Sequence, residues 1–391
     1  MPNAHFQQTA RQILDDLKNS GQLKSFNAII SPMAPSVEVA GSGETIVLCS
    51  NNYLGLSNHP EVIQAGIDGL KKYGAGTASV RFICGTLECH YQLEQKIAQF
   101  LGTESALSYV SCWNANAAVF PTLTAPGDVV LSDELNHASI IDSCRLVSKK
   151  VERSVYRHND MEDLERQLKA HSDKNCRWVV ADGVFSMEGD LVNLRETVDL
   201  CKKYDAMMVL DDSHGVGVMG KTGRGTHEHF DLLGEIDIMT GTLGKALGGA
   251  AGGYVAASSD VIKILEQRAR PSLFSNALPA TVACSAYKAI DILEKEPQRI
   301  TKLHENVAKI RNGLGDLGFA CPDSPSAIVP IMIGDEAEAI RKGERLLELG
   351  IMVVGFAFPV VPRGEARLRI QVSSALEDEH IRRVLEAFSK L

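Results

Sequence analysis

Lys245 sits between Gly244 and Ala246, with Gly248 and Gly249 just beyond. A solvated helical lysine usually has polar neighbours. Here they are small, so the backbone can approach a bulky planar group. Out of water a lysine amine loses basicity and becomes the neutral nucleophile that forms a Schiff base with a carbonyl. Thr242 offers a hydroxyl for a phosphate group. Asp211 ends the apolar run 206–210, and an acid there can pair with a protonated pyridine nitrogen and keep that ring an electron sink. His214 can reach a ring hydroxyl, and His137 can stack on a pyridine face. Each signal has a plain alternative: a glycine-rich turn with one exposed lysine, a strand-terminal turn with cap residues at 211–214, a satisfied loop histidine at 137. Together the lysine, the acid and the histidines meet the needs of one cofactor, pyridoxal 5'-phosphate (PLP).

Three further segments extend this set. Ser111, Cys112 and Trp113 open an apolar helix whose free N–H groups suit a phosphate, although an ordinary helix cap reads the same way. The glycine-rich stretch 74–81 with Gly85 and Thr86 is polar and pliant, and by itself is only a loop. Arg367 and Arg369 alternate in a C-terminal strand and share a face. An arginine there can bind an amino-acid carboxylate bidentately, or take part in a surface salt bridge.

The elements that must position these residues follow from periodicity. Residues 7–19 have helical spacing, with Ala10, Ile13, Leu14 and Leu17 on one face, and form an arm helix. Strands are expected at 36–40 and 44–49 around a Gly41-Ser-Gly43 turn. From about 90 to 255 strand, loop and helix repeat. Strands are expected at 129–131, 178–181, 207–210 and 237–240, and helices at 140–147 and 160–168. Such alternation implies an α/β fold with a mostly parallel sheet, whose chemistry lies beyond the carboxyl ends of the strands. That places Asp182, Asp211, Asp212 and residues 242–245 together. After Pro279 the pattern becomes α+β: helices at 281–294 and 299–317, strands at 328–333, 351–354 and 367–372, and helices near 336–349 and 376–390. The expected division is an N-terminal arm over 1–50, a large cofactor-binding domain over 51–280 and a small C-terminal domain over 281–391.

Bulk composition narrows the function classes. The 391 residues carry a net charge of -9, which argues against a nucleic-acid partner. Nine scattered cysteines without a Cys-x-x-Cys pair form neither a disulfide framework nor a metal site. The N-terminus lacks a basic-then-apolar signal, and no apolar run approaches bilayer length. A cytoplasmic enzyme without a membrane partner is expected.

Asn-Asn-Tyr-Leu-Gly at 51–55, Asn-His-Ala-Ser at 136–139, Gly-Val-Phe-Ser-Met at 183–187, Asp-Asp-Ser-His at 211–214 and Thr-Leu-Gly-Lys at 242–245 occur in this order. The chain thereby resembles the α-oxoamine synthases of the fold-type I PLP enzymes, over nearly its whole length. Residues 78–86, 240–249 and 359–364 are similar to the branch that joins glycine to acetyl-CoA. The resemblance implies a PLP-dependent C-acyltransferase with an amino acid and an acyl-CoA as substrates, working in reverse to complete threonine breakdown. It implies Lys245 as the Schiff-base and proton-transfer residue, His137 on the ring, Asp211 at its nitrogen, and His214 and Ser186 near its hydroxyl. Phosphate is assigned to Ser111, Cys112, Trp113 and Thr242, with Ser275 or Asn276 from a second subunit of a homodimer. Substrate carboxylate is assigned to Arg369, helped by Asn51. Trp113, Asn114, Gly215 and Ala277 depart from the pattern expected of that branch, which bears on the substrate more than on the chemistry. Rival readings are a family member that uses alanine, serine or a longer acyl-CoA and decarboxylates, a CoA-independent aminotransferase or aldolase, and a non-catalytic subunit.

Overall fold

The computed structural model describes residues 3–19, 22–23, 26–358 and 360–391. The arm helix runs Ala4–Asn19, and none of its residues is buried. Strands β1 (Ser36–Val39) and β2 (Gly43–Val47) form the expected hairpin. Gly41 and Gly43 hold φ of 83° and 75° in its turn, a conformation that costs other residues energy.

Seven strands make the central sheet: β3 (Ser105–Tyr109), β4 (Val129–Asp133), β5 (Glu152–Tyr156), β6 (Arg177–Asp182), β7 (Ala206–Asp211), β8 (Ile238–Thr242) and β9 (Gly253–Ala257). Their order is β3-β9-β8-β7-β6-β4-β5. All adjacent pairs from β8 to β5 are parallel, and β9 runs antiparallel to both its neighbours. Alternate residues feed two cores, as strand pleating requires. Val130, Val180 and Val209 pack with Ala118 and Ile140, whereas Leu131, Val179 and Leu210 pack with Leu164, Leu168 and Val198. Covered on both faces, these strands read as continuous apolar runs rather than alternating ones.

The C-terminal domain adds β10 (Ile328–Gly334), β11 (Ile351–Met352), β12 (Val354–Phe356) and β13 (Ala366–Gln371). β10, β13 and β12 form an antiparallel sheet in that order. The single strand expected at 351–354 is divided. Ile351 and Met352 pair in parallel with β2, then the chain changes partner at buried Val353 and pairs with β13. One apolar run thus satisfies two sheet edges, which periodicity alone does not reveal. The N-terminal hairpin and the C-terminal segment share a three-stranded sheet, β1-β2-β11. Helix Ala280–Lys295 lies along Pro60–Tyr73 at close range: a Cβ on Gly69 would stand 2.8 Å from Cys284 Sγ and 3.0 Å from the Ala280 carbonyl oxygen.

Candidate active site

The carboxyl ends of β4, β6, β7 and β8 converge on a cavity of about 220 Å³. Cys112, Trp113, His137, Ser186, Asp211, His214, Thr242 and Lys245 all line it, together with Ser139, Asp182, Val184 and Ser213. The motifs separated by up to 133 residues in the chain therefore meet at one place, as a parallel sheet dictates.

Lys245 follows β8 by three residues. Burial pulls its amine below the ordinary lysine range, against the opposing attraction of Asp211. Asp211 closes β7 and is 5% exposed. Its Oδ2 accepts from Asn116 Nδ2 at 2.6 Å and its Oδ1 from the Ser213 N–H at 3.0 Å. Asn116 also donates to Ser139 Oγ at 2.8 Å, so the helix Cys112–Leu123 holds the acid in place. Cys112 Sγ lies 3.3 Å from Ser213 Oγ, and burial pushes its thiol pKa well up.

His137 caps the helix Ala138–Arg145. Its Nδ1 is 2.8 Å from Ser139 Oγ, and its N–H donates to Asp182 Oδ2 at 2.9 Å. Trp113, 47% exposed, meets the His137 ring edge-on at a centroid distance of 6.1 Å. Burial lowers the His137 pKa and drives that of His214 well below the usual value, with the charges of Lys245 and Arg369 adding to the second effect. The Asp182 carboxyl moves the other way: burial first, then the charge of Asp211, raise it well above the carboxylate range.

Phosphate-type donors cluster at one side. Ser111 is the N-cap of Cys112–Leu123, accepting from the Asn114 N–H. A helix start leaves its first N–H groups without intrahelical partners. The approach of β9 is close, since a Cβ on Gly253 would stand 2.4 Å from Cys112 Cα. Thr242 Oγ1 accepts from the Gly244 N–H at 3.1 Å and donates to the Gly252 carbonyl oxygen at 3.2 Å.

Against the lining residues Ser186 and His214 stand β13 and residues 51–55. Arg367 and Arg369 do share a face, paired with Met332 and Pro330, but their surroundings differ. Arg367, 3% exposed, forms ion pairs with Glu188 and Glu365, both at 3.2 Å. Arg369 has no carboxylate partner among the described residues. It donates to the Ser186 carbonyl oxygen at 2.8 Å and to Gln371 Oε1 at 3.3 Å, lies 4.6 Å over the Phe356 ring, and its buried Nε has no partner. Asn51 Oδ1 accepts from Gln371 Nε2. Tyr53 Oη accepts from the same Nε2 at 3.0 Å and stands 2.8 Å from His214 Nδ1.

Ser111, Asn51 and Arg369 do not themselves line the cavity, and neither do Ser275 and Asn276. Ser275 ends the helix Arg270–Phe274, and exposed Asn276 bridges to Val80. Beside them Phe274, Phe82 and Ile83 are 72%, 63% and 68% exposed. Asn116, Tyr53, Ser139, Ser213 and Gln371 were not among the expected site residues. The loops behind the cavity are tied by His158, whose two ring nitrogens lie 3.0 Å from Asp133 and 2.9 Å from Asp190. Burial pulls His158 down, but these two carboxylates outweigh it and push its pKa up to about 10.

The fold and this cavity define a fold-type I PLP-dependent enzyme, and comparison with known proteins agrees. The family model for aminotransferase class I and II matches residues 43–388, and the chain belongs to that family. It is 45% identical to the 2-amino-3-ketobutyrate coenzyme A ligase of Escherichia coli K12, over 97% of this chain and 96% of that protein. It is also 45% identical to the human mitochondrial 2-amino-3-ketobutyrate coenzyme A ligase, over 96% and 89% of the two chains. An 8-amino-7-oxononanoate synthase from Symbiobacterium thermophilum is 45% identical over 97% of this chain and 96% of its own. Among solved structures, Sphingomonas wittichii serine palmitoyltransferase superposes with a TM-score of 0.92 at 30% identity, covering 99% of this chain and 97% of its own.

Proposed function

We propose that this protein uses PLP to condense glycine with acetyl-CoA, giving 2-amino-3-oxobutyrate and CoA, and that it catalyses the reverse cleavage as a step in threonine degradation. The observation that carries this reading is Arg369: a half-buried guanidinium with a buried, unpartnered Nε and no carboxylate partner among the described residues, bonded to the carbonyl oxygen of Ser186, which lines the cavity with Lys245 and Asp211. An amino-acid carboxylate is the anion such a site awaits.

The residues fit PLP. Lys245 offers an amine whose basicity burial has lowered, and Asp211 offers a carboxylate fixed from two sides. The helix start at Ser111, Cys112 and Trp113, with Thr242, offers phosphate donors. When bound, PLP supplies an electron sink for the charge left on the amino-acid α-carbon. Lys245 would take the α-proton as general base and give it up to the departing CoA sulfur. Asp211, held by Asn116 Nδ2 and the Ser213 N–H, would pair with the ring nitrogen. His137, oriented by Ser139 and Asp182, covers the ring. Ser186 and His214 serve its hydroxyl, and Arg369 with Asn51 orients the carboxylate. Carbon joins carbon as the thioester C–S bond breaks, and the sulfur leaves as CoA.

Ser275 and Asn276 are assigned to the neighbouring cavity of a homodimer. Their distance from this chain's own cavity and the exposed Phe82, Ile83 and Phe274 beside them support that assignment. Among the described residues no helix is long and apolar enough to cross a membrane. We assign the enzyme to the cytoplasm, as the composition suggests.

A second reading keeps the chemistry and changes the carbon skeleton. The equal identity to an 8-amino-7-oxononanoate synthase favours it specifically. A panel of glycine, alanine and serine against acetyl-CoA and longer acyl-CoAs, followed by thiol release, separates the two. The main reading expects glycine with acetyl-CoA to give the highest kcat/KM. Release only with alanine or serine and a longer acyl chain would replace it with the second.

A further inference from the structure

We propose that Arg369, Gln371 and Tyr53 form a directed hydrogen-bond relay that fixes His214 as the tautomer with its proton on Nε2, making the imidazole a donor into the cavity. The proposal rests on the reading of that cavity as the PLP site.

The direction follows from counting donors and acceptors. Arg369 can only donate. Its Nη2 stands 3.3 Å from the Gln371 side chain, so the oxygen end of that amide must face it. With Oε1 turned to Arg369, Gln371 Nε2 presents its two hydrogens to the other side. One goes to Asn51 Oδ1 and the other to Tyr53 Oη at 3.0 Å. The reverse orientation would set an amide N–H against a guanidinium and an amide oxygen against the Asn51 oxygen. Tyr53 Oη therefore accepts from Gln371, and its own hydrogen needs an acceptor. Its remaining described neighbour is His214 Nδ1, at 2.8 Å. If Nδ1 carried the imidazole proton, the Tyr53 hydrogen would be stranded in a site where Tyr53 is 1% and Gln371 1% exposed. Stranding a buried donor is costly. So Nδ1 is the acceptor, and the proton of the neutral ring sits on Nε2.

Nε2 has no protein partner among the described residues, and His214 lines the cavity with Lys245 and Asp211. A donor there suits an anionic oxygen, whereas the other tautomer would offer a lone pair and repel one. The anchors are rigid. The Gln371 N–H donates to the Leu48 carbonyl oxygen at 2.7 Å, and the Tyr53 carbonyl oxygen accepts from Ser374 at 2.7 Å. The relay thus starts on β13, crosses residues 51–53 and ends beyond β7, linking the substrate arginine to an imidazole across the cavity. Gln371 and Tyr53 act through His214 and are positioning residues.

The test is long-range proton–nitrogen NMR on the holoenzyme labelled with ¹⁵N-histidine, with His214 assigned by comparison with His214→Asn. The expected spectrum shows a single neutral form of His214, protonated on Nε2. Tyr53→Phe and Gln371→Leu should each release the lock, giving signals of both tautomers and a fall in kcat of about fivefold, with KM for glycine changed by less than about twofold. Protonation on Nδ1 in the wild-type protein would overturn the relay. So would one unchanged tautomer in both variants. Nδ1 protonation with full glycine and acetyl-CoA turnover contradicts the relay alone. Nε2 protonation without that turnover contradicts the functional reading alone.

Discussion

The floor of the cavity and the layer that adjoins it are built on different physical terms. The floor, at the ends of β4, β6, β7 and β8, holds its polar groups with partners of its own: Asp211 is bonded by Asn116 and Ser213, and His137 by Ser139 and Asp182. The layer behind Ser186 and His214, from β13 and residues 51–55, keeps one strong group short of partners. Arg367 and Arg369 lie two residues apart on one strand and one face, yet Arg367 is neutralised by Glu188 and Glu365, while Arg369 keeps an orphaned Nε. A buried polar group with no partner calls for an explanation, and a ligand is one. On the proposed reading the floor takes the cofactor and Arg369 takes the substrate carboxylate.

This contrast sets the order of expected effects. Lys245→Ala should lower kcat by at least about 10³-fold and abolish the visible absorbance of the purified protein, read by thiol release and a spectrum. Replacing the two arginines should part their roles. Arg369→Ala should raise KM for glycine about 100-fold with little change in Tm, since it removes charge-assisted bonds to the carboxylate. Arg367→Ala should instead lower stability by about 3 kcal/mol in a denaturant titration, because it leaves Glu188 without its cation. If both variants changed KM alike, the division of labour would be wrong.

A smaller effect is expected behind the floor. The folded pKa of His158, about 10, lies above its unfolded value of roughly 6.5. Its contribution to stability is therefore complete below about pH 6.5 and is lost as pH rises through 10. The Tm difference between the wild type and His158→Asn should be largest near pH 6 and close toward pH 10. A constant difference would mean that Asp133 and Asp190 do not hold a charged imidazole. The smallest effect belongs to Asp182. Burial raises its pKa, and its contact is with the backbone N–H of His137, which an amide oxygen can accept equally. Asp182→Asn should change kcat less than about threefold.

Sequence and structure agree most closely where the chemistry is local. Val-Leu-Asp at a strand end and Gly-Lys-Ala after another place Asp211 and Lys245 correctly, because a parallel sheet gathers its strand ends. The alternation of Arg367 and Arg369 was legible too. What separates them was not, because Glu188 comes from a distant loop. The relay through residues 53, 214 and 371 was equally hidden: Tyr53 and His214 lie in two of the quoted motifs, but nothing local joins them to each other or to Gln371. Asn116 ends the polar segment that enters an apolar helix, and nothing local shows that it clamps Asp211. The strand at 351–354 was divided between two sheets because partner choice depends on edges that periodicity does not encode. Ser275 and Asn276 lie away from this chain's cavity, so their assignment turns on a second subunit.

The central claim, that this chain joins acetyl-CoA to glycine and keeps the glycine carboxyl group, has a direct test. The enzyme is supplied with acetyl-CoA and glycine labelled with ¹³C in its carboxyl carbon, and samples are quenched into borohydride to reduce the keto product. The account predicts threonine and its diastereomer carrying the label, in amounts matching the CoA released. Labelled carbon dioxide formed on the enzyme in step with CoA, and no labelled threonine, would contradict it.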